Sequence, residues 1–216
     1  MKESKMHNQQ ISKQIIEAMN FRHACKEFSS QRIPDSELQV LIEAARLAPS
    51  SYGLEHIRLL VIKDENKKQE LQKLCYNQKQ VGTASVVAVF VADIGAIQCD
   101  GYIDHIVRRK AGKDEAQYAA YKQMVQNRIN SVSKSELTEW SLKQGFLSAQ
   151  SMMDAAAFLG IDSCPMEGFE KANTEKFLGL DGVNKQISII VPFGYRASNT
   201  QPPKLRMDTK DFVEFI

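Results

Sequence analysis

The 216-residue sequence lacks most of the features that assign a function at first reading. It contains no G-x-G-x-x-G, G-x-x-x-x-G-K-[ST], G-x-S-x-G or H-E-x-x-H motif, which excludes the dinucleotide, P-loop, serine-hydrolase and zincin sites that these motifs form. Its four cysteines are widely spaced and form no C-x-x-C pair, so neither a disulfide framework nor a zinc site is predicted. The four histidines also lack metal-ligand spacing, and we expect no bound metal.

The chain also lacks a strong charge of one sign and a long apolar run. Its 28 basic and 26 acidic side chains leave a net charge of +2, too little to attract nucleic acid or an anionic membrane. The longest apolar run, Ala84 to Ala92, is far too short for a bilayer span, and Met1 to Gln10 lacks the apolar core of a signal peptide. We therefore expect a cytoplasmic protein without nucleic-acid or membrane partners.

What is present is an ordinary globular composition, with 43% apolar and 25% charged residues, and we expect one domain over residues 1–216. Apolar periodicity, caps and turn residues predict the main elements. The predicted helices cover residues 9–20, 34–48, 64–75, 133–160 and 174–180, and helical but patchy sequence covers 94–131. The predicted strands cover 57–62, 85–91 and 187–193, with 208–216 as a last strand or arm and a polar turn at 77–80.

The long predicted helix begins at a capping box formed by Ser133 and Glu136 and ends at Gly160. One face is marked by Leu137, Trp140, Gln144, Leu147, Ser151, Ala155 and Phe158, while small residues cover much of the rest. Such a helix is typical of a nearly buried central position. In a chain of this length, that burial is easier if a second subunit covers the helix.

The stretch from Phe21 to Phe28 places two cations, Arg22 and Lys26, four residues apart in an aromatic-flanked run. If this stretch is extended, Arg22, Ala24, Lys26 and Phe28 face one way, and the two charges lie roughly 13 Å apart. That spacing suits a long ligand with an anionic tail and an electron-accepting ring. The alternative is an edge strand with ordinary solvated charges.

Five short motifs, in this order along the chain, decide between these interpretations. They are Arg22 with Lys26 and Phe28; Pro49-Ser50-Ser51; Asn77; Gly160-Ile161-Asp162 followed by Glu167-Gly168-Phe169; and Lys204 with Arg206. Together they resemble the FMN-dependent nitroreductase family over nearly the whole chain. The resemblance implies an α+β fold in which a mixed, mostly antiparallel sheet is flanked by helices, and an intertwined homodimer with FMN at its interface.

The resemblance also implies an enzyme that uses NADPH or NADH to reduce FMN and passes the electrons to nitroaromatics, quinones or similar flat acceptors. The alternatives are a more specialised reductase of the same family, acting on pteridines or activated alkenes, and a flavin-binding or flavin-delivering protein without turnover.

By resemblance, each motif has a part in the flavin site. The FMN phosphate would be held by Arg22, Lys204 and Arg206, with His23 and Ala24 beside it. The pyrimidine edge would contact Asn77 and Gln80, and the turn Pro165, Met166, Glu167 and Gly168 would lie against the ring. The partner subunit would supply Ser50 and Ser51, and Tyr52 would border the acceptor. The catalytic residues would be Lys26 and Glu167, the latter chiefly through its main chain.

The lysine has a physical reason to matter. Negative charge gathers at the N1 and O2 edge of a reduced flavin, where Lys26 is expected. A cation about 4 Å from this charge stabilises it by on the order of 4 kcal/mol at an effective dielectric of 20, but by only about 1 kcal/mol in water. We therefore expect Lys26 to be buried.

The sequence departs from the family pattern after Pro49-Ser50-Ser51. Family members commonly continue x-Asn-x-Gln-Pro-Trp, whereas this chain continues from Tyr52 to Arg58 as Tyr-Gly-Leu-Glu-His-Ile-Arg. The difference falls on the acceptor side of the expected pocket.

Overall fold

A computed structural model describes the backbone of residues 2–216 and the side chains of residues 8–216. The helices are α1 (Lys2–Phe21), α2 (Asp35–Arg46), α3 (Glu65–Leu74), α4 (Lys79–Thr83), α5 (Ile94–Ile97), α6 (Asp100–Ala111), α7 (Glu115–Asn130), α8 (Lys134–Phe158), α9 (Lys171–Phe177) and α10 (Thr209–Phe212). The strands are β1 (Ile57–Ile62), β2 (Val86–Asp93), β3 (Asp162–Ser163) and β4 (Lys185–Gly194).

The four strands form one antiparallel sheet in the order β1-β2-β4-β3. Strand β2 is buried on both faces as far as Ala92, as its unbroken apolar sequence predicts. Its register with β4 shifts between Phe90 and Val91, where an irregularity interrupts the ladder. The short β3 lies at the sheet edge, beside the end of β4, and residues near this edge form the candidate site.

Helices cover both faces of the sheet. On one face, α2 and α8 pack against alternate residues of β2, including Ala88 and Phe90, and on the other face Val87 and Val89 pack with Leu71 of α3. A Cβ on Gly145 of α8 would lie 2.4 Å from the Ser188 Cβ of β4, so only glycine allows the helix to approach this closely. The region 94–131, patchy in sequence, forms α5, α6 and α7 over a third apolar cluster.

Several local predictions are confirmed by this architecture. Strand β1 has the predicted bounds, and the predicted capping box is present, since the Glu136 N–H donates to Ser133 Oγ (3.2 Å) and the Ser133 N–H to Glu136 Oε2 (2.8 Å). The stop before Pro49 is also correct, because α2 ends at Arg46.

Other predictions need correction. Helix α1 continues to Phe21, α4 begins at Lys79 inside the predicted polar turn, and the tail forms the short α10 where a strand was one expectation. On α8, Leu147 and Phe158 of the marked face are 44% and 52% exposed in the single chain, so this chain alone does not bury the helix. Periodicity locates an apolar face but not the element that covers it.

Among the described residues, no helix is both long enough and apolar enough to cross a membrane.

His56 is the least compensated buried polar side chain of the core. It is fully buried and stacks on Trp140, with ring centroids 5.6 Å apart, and neither ring nitrogen has a hydrogen-bond partner among the described residues. Burial is the main cause that lowers the pKa of His56 from 6.5 to about 4, and Arg58 lowers it further. The folded chain therefore holds this imidazole neutral.

This histidine should make the fold sensitive to acid. The folded chain binds the His56 proton only near pH 4, whereas the unfolded chain binds it near 6.5, so stability is full above pH 6.5 and falls as the pH drops towards 4. The loss attributable to His56 is about 3 kcal/mol. We expect His56→Phe, which keeps the aromatic stack, to lose less stability than the wild type between pH 7 and pH 4.5 in urea unfolding. Equal losses in the two proteins would contradict this assignment.

Candidate active site

The segment after α1 runs along the sheet edge and begins the candidate site. Ala24 pairs with Ser163 of β3, and the Cys25 N–H donates to the Ser163 carbonyl (3.1 Å), while Phe28 pairs with Arg196. Phe28 and Cys25 are buried, whereas Ala24 and Lys26 are exposed. The prediction that the alternate residues from Arg22 to Phe28 share one face is therefore wrong. The segment pairs with two different neighbours and does not stay a flat strand.

Three cations from distant parts of the chain meet at the end of α1. Lys204 Nζ donates to the carbonyls of Met19 and Arg22, the latter at 2.6 Å. Burial, followed by the positive charges of Arg22 and Arg206, lowers the pKa of Lys204. Among the described side chains, none of these three cations forms an ion pair with a carboxylate. Such a cluster would be stabilised by an anionic ligand that accepts several hydrogen bonds.

A buried ion pair holds this region in place. The Asp162 carboxylate, 2% exposed, accepts hydrogen bonds from Arg196 Nη2 (2.6 Å), Arg196 Nε (3.0 Å) and the Arg196 N–H (3.0 Å). Arg196 also donates to Gln201, whose amide donates to the carbonyls of Asn20 and Phe21 at the end of α1. The sequence pointed to Asp162 as part of a motif, but it gave no signal for the two residues that join it to α1.

His23 lies beside this ion pair. Its Nδ1 is 3.5 Å from Asp162 Oδ1, and burial and the nearby Arg196 lower the pKa of His23, although Asp162 opposes this shift. The ligand atoms of His23, Cys25 and Asp162 all lie within 4.8 Å of one another, a grouping that the sequence did not reveal. Because Arg196 engages both carboxylate oxygens of Asp162, the grouping functions as an ion pair with a neighbouring imidazole.

Lys26 projects from the same segment. It is exposed, and its Nζ lies 3.5 Å from the Sγ of the buried Cys164. The expectation that Lys26 is buried is therefore wrong for the single chain, although its Nζ reaches Cys164, which belongs to the same apolar cluster as Cys25 and Phe28. Burial raises the pKa of the Cys164 thiol, although Lys26 opposes this shift, so the ammonium has a neutral neighbour.

The turn after β3 presents two backbone donors. Met166 is fixed to β4, since its N–H donates to the Ile190 carbonyl (2.8 Å) and its carbonyl accepts from the Ile190 N–H (3.2 Å). Glu167 and Gly168 are exposed, and their N–H groups have no acceptor among the described residues. The turn borders an apolar cavity of about 460 Å³ lined by Pro165, Met166, Glu167, Phe146, Met153 and Ile189, among others. These donors are therefore available to a ligand at the cavity edge.

A second turn meets the first. Tyr76 and Asn77 both have left-handed backbone (φ 55° and 56°), and the Asn77 side chain is exposed. Gln80 is buried, and its Nε2 donates to Gln78 Oε1 (2.9 Å). Gln78 Nε2 in turn donates to the Gly168 carbonyl (2.8 Å), which joins the two turns. Gln78 was not a predicted site residue.

The remaining predicted residues lie elsewhere on the chain. The Ser51 N–H donates to Gln144 Oε1 of α8 (2.8 Å), and Ser50 Oγ accepts from the Glu55 N–H (3.1 Å). Tyr52 has left-handed backbone (φ 53°), and its carbonyl accepts from Tyr121 Oη (2.6 Å). In the hydrogen bonds of the described residues, Ser50, Ser51 and Tyr52 are therefore joined to Glu55 and to α6, α7 and α8, and not to the other predicted site residues.

The sequence and the fold are both similar to those of known proteins. Residues 19–195 match the model of the Nitroreductase family. A Staphylococcus haemolyticus protein provisionally named an NAD(P)H nitroreductase is 35% identical over 213 residues, which cover 94% of this chain and 97% of that protein.

Solved structures show the same fold. A Bacillus subtilis protein provisionally described as a nitroreductase has a TM-score of 0.85 at 22% identity, with 95% of this chain and 100% of that chain covered. An Exiguobacterium sibiricum protein of the same provisional description, solved in complex with FMN, has a TM-score of 0.80 at 24% identity, with 94% and 97% covered. The predicted α+β fold of a nitroreductase is thus confirmed. Because the family model spans most of the chain and the S. haemolyticus relative aligns along nearly all of it, this protein belongs to the nitroreductase family.

Proposed function

We propose that this protein is an NAD(P)H-dependent FMN oxidoreductase that reduces nitroaromatics, quinones or similar flat acceptors in two half-reactions. Family membership supports a flavin-dependent reductase in general, and the choice of acceptors extends that conclusion. The observation that carries the proposal is a set of donors on linked segments, which we take to form one donor surface. They are the cations at the end of α1, Lys26 beside Cys164, and the N–H groups of Glu167 and Gly168, which have no acceptor among the described residues.

The donor set matches the groups of FMN. A phosphate carries oxygens that accept several charged hydrogen bonds, which suits Arg22, Lys204 and Arg206. His23 and Ala24 line the path between this cluster and Lys26. The exposed amide of Asn77 offers both a donor and an acceptor to the pyrimidine edge, with Gln80 behind it.

Bound FMN would supply a reversible carrier of a hydride, a chemistry that no side chain of this chain possesses. Lys26 would stabilise the negative charge that reduction places beside it, and Glu167 and Gly168 would direct their N–H groups at the ring. The apolar cavity beside Pro165 and Met166 would exclude water from the ring face. Since Lys26 is exposed in the single chain, its electrostatic effect would depend on the ligand and a second subunit covering it.

The proposed site includes a second subunit. The Ser50–Tyr52 loop lies apart from the main donor surface, so we propose that it completes the site of the partner in a homodimer, with Tyr52 at the acceptor. Large apolar side chains are exposed on α8 and on the tail, namely Phe146, Leu147, Phe158, Leu205, Phe212 and Phe215. Exposed apolar side chains of this size are typical of surfaces that a partner buries.

The activity is tested by anaerobic mixing of the flavin-loaded protein with NADPH and, separately, with NADH. We expect the visible flavin band to bleach within seconds and to return when a quinone or a nitroaromatic compound is added. If the flavin band persists with both nucleotides, the protein would instead be a flavin carrier. A protein that binds no FMN would refute the proposal altogether.

The phosphate cluster gives a second test. Arg206→Met removes one charged donor, so we expect the dissociation constant for FMN to rise about tenfold or more, because hydrogen bonds to charged groups are worth about 1.5–3 kcal/mol. Riboflavin, which lacks the phosphate, should bind the variant and the wild type equally. Flavin fluorescence titration measures both constants. Lys210→Met removes an exposed charge from the same tail as a control, and an equal loss of riboflavin affinity in the Arg206 variant would contradict the assignment.

The role of Lys26 predicts a change in redox potential. Without the cation, the reduced flavin loses a stabilising charge, so Lys26→Met should lower the two-electron midpoint potential by on the order of 30 mV, which corresponds to about 1.4 kcal/mol. Equilibrium titration against a redox dye gives this value. Lys63→Met, which removes an exposed lysine paired with Asp35, should leave the potential unchanged. The same potential in the Lys26 variant and the wild type would exclude this role.

A further inference from the structure

Gln78 makes the one side-chain hydrogen bond that the described residues provide to the Glu167–Gly168 turn. Its Nε2 donates to the Gly168 carbonyl at 2.8 Å, across 90 positions of sequence. Its Oε1 accepts from Nε2 of the buried Gln80 at 2.9 Å. Both ends of the Gln78 amide are therefore used, which fixes its orientation.

Gly168 and Gln78 are in close contact. A Cβ on Gly168 would lie 3.2 Å from Gln78 Nε2, closer than an ordinary contact. Gly168 does not have left-handed backbone, so its conformation alone does not require glycine. A larger residue at this position would therefore require the Gln78 amide to shift by a few tenths of an ångström.

The hydrogen bond from Gln78 fixes the carbonyl of Gly168 and leaves its N–H available. Its carbonyl is held by Gln78, while its N–H and that of Glu167 have no acceptor among the described residues. On the other side of Gln78 lies Asn77, whose exposed amide is the proposed contact for the pyrimidine edge. Gln78 therefore sets the distance between two groups that would touch the same ring.

We infer that Gln78 is a positioning residue, which fixes the N–H groups of Glu167 and Gly168 relative to Asn77 and thereby orients the flavin ring between them. This inference rests on the proposed function, because it requires FMN at this surface. It assigns Gln78 no contact with the ring or with the reacting atoms. Positions held to within a fraction of an ångström are what such sites need, and that precision comes from supporting hydrogen bonds of this kind.

The test compares two glutamines that make the same type of bond. Gln78→Met removes the donor to Gly168, and Gln69→Met, the control, removes a donor to the Gly82 carbonyl (3.2 Å) away from the turn. We expect the FMN dissociation constant to rise about fivefold in the Gln78 variant and to stay unchanged in the control.

Hydrogen exchange distinguishes positioning from a general loss of stability. In the wild type, FMN should slow exchange of the peptide that contains residues 166–170. In Gln78→Met this protection should be largely lost while FMN still binds, with exchange in β2 unchanged. Exchange that quickens everywhere in the variant would overturn the inference, because it would show a purely structural role.

A double-mutant cycle tests the pairing with the glycine. Gly168→Ala would push the Gln78 amide away by a few tenths of an ångström and weaken its hydrogen bond, so the variant that combines it with Gln78→Met should lose little more FMN affinity than the weaker-binding single variant. Additive losses would overturn the pairing. Unchanged affinity and protection in Gln78→Met, in a protein whose wild type binds FMN, would overturn this inference alone. A wild type that binds no FMN would overturn the proposed function as well.

Discussion

The buried pair between Asp162 and Arg196 is the interaction on which the candidate site depends. It joins the edge strand β3 to the end of β4, and through Gln201 it reaches the carbonyls that end α1. Burying these two charges costs desolvation energy, and the close hydrogen bonds offset that cost only while both partners are present. The pair therefore contributes more to the arrangement of chain segments than to net stability. It places Arg22, at the end of α1, beside the returning segment that carries Lys204.

Much of the fold could be predicted from sequence because local rules decide it. The bounds of β1, the capping box of α8 and the stop before Pro49 follow from alternation, capping chemistry and the missing N–H of proline. The exposure of Leu147 and Phe158 could not be predicted in the same way. The sequence shows that these side chains are apolar and favour burial. Which element buries them depends on the tertiary arrangement or on a second chain.

For the candidate site too, local sequence motifs could be recognised, whereas contacts between distant segments could not. Motifs implied, by resemblance to the family, that Arg22, Lys26, Gly168 and Lys204 belong to one site. The structure shows Lys204 bonded to the Arg22 carbonyl and Lys26 Nζ 3.5 Å from Cys164 Sγ. The motifs could not predict that Lys26 is exposed in the single chain or that Gln78 holds the Gly168 turn, because both depend on which distant segments meet. The loop at Tyr52 departs from the family pattern, and its left-handed residue is held by hydrogen bonds from α6 and α7. These two hydrogen bonds fix the conformation of the loop in this chain.

The wide separation of Arg22 and Lys204 has a consequence for how the protein is made. These two residues are 182 positions apart, yet Lys204 donates directly to the Arg22 carbonyl. During translation, α1 emerges early. Lys204 can reach the end of α1 only after the segment that follows β4 has left the ribosome. The cation cluster therefore cannot form on a nascent chain that stops short of this segment, and such a chain would also lack Arg206. If the cluster holds the FMN phosphate as proposed, loading of the cofactor is among the last events of biogenesis.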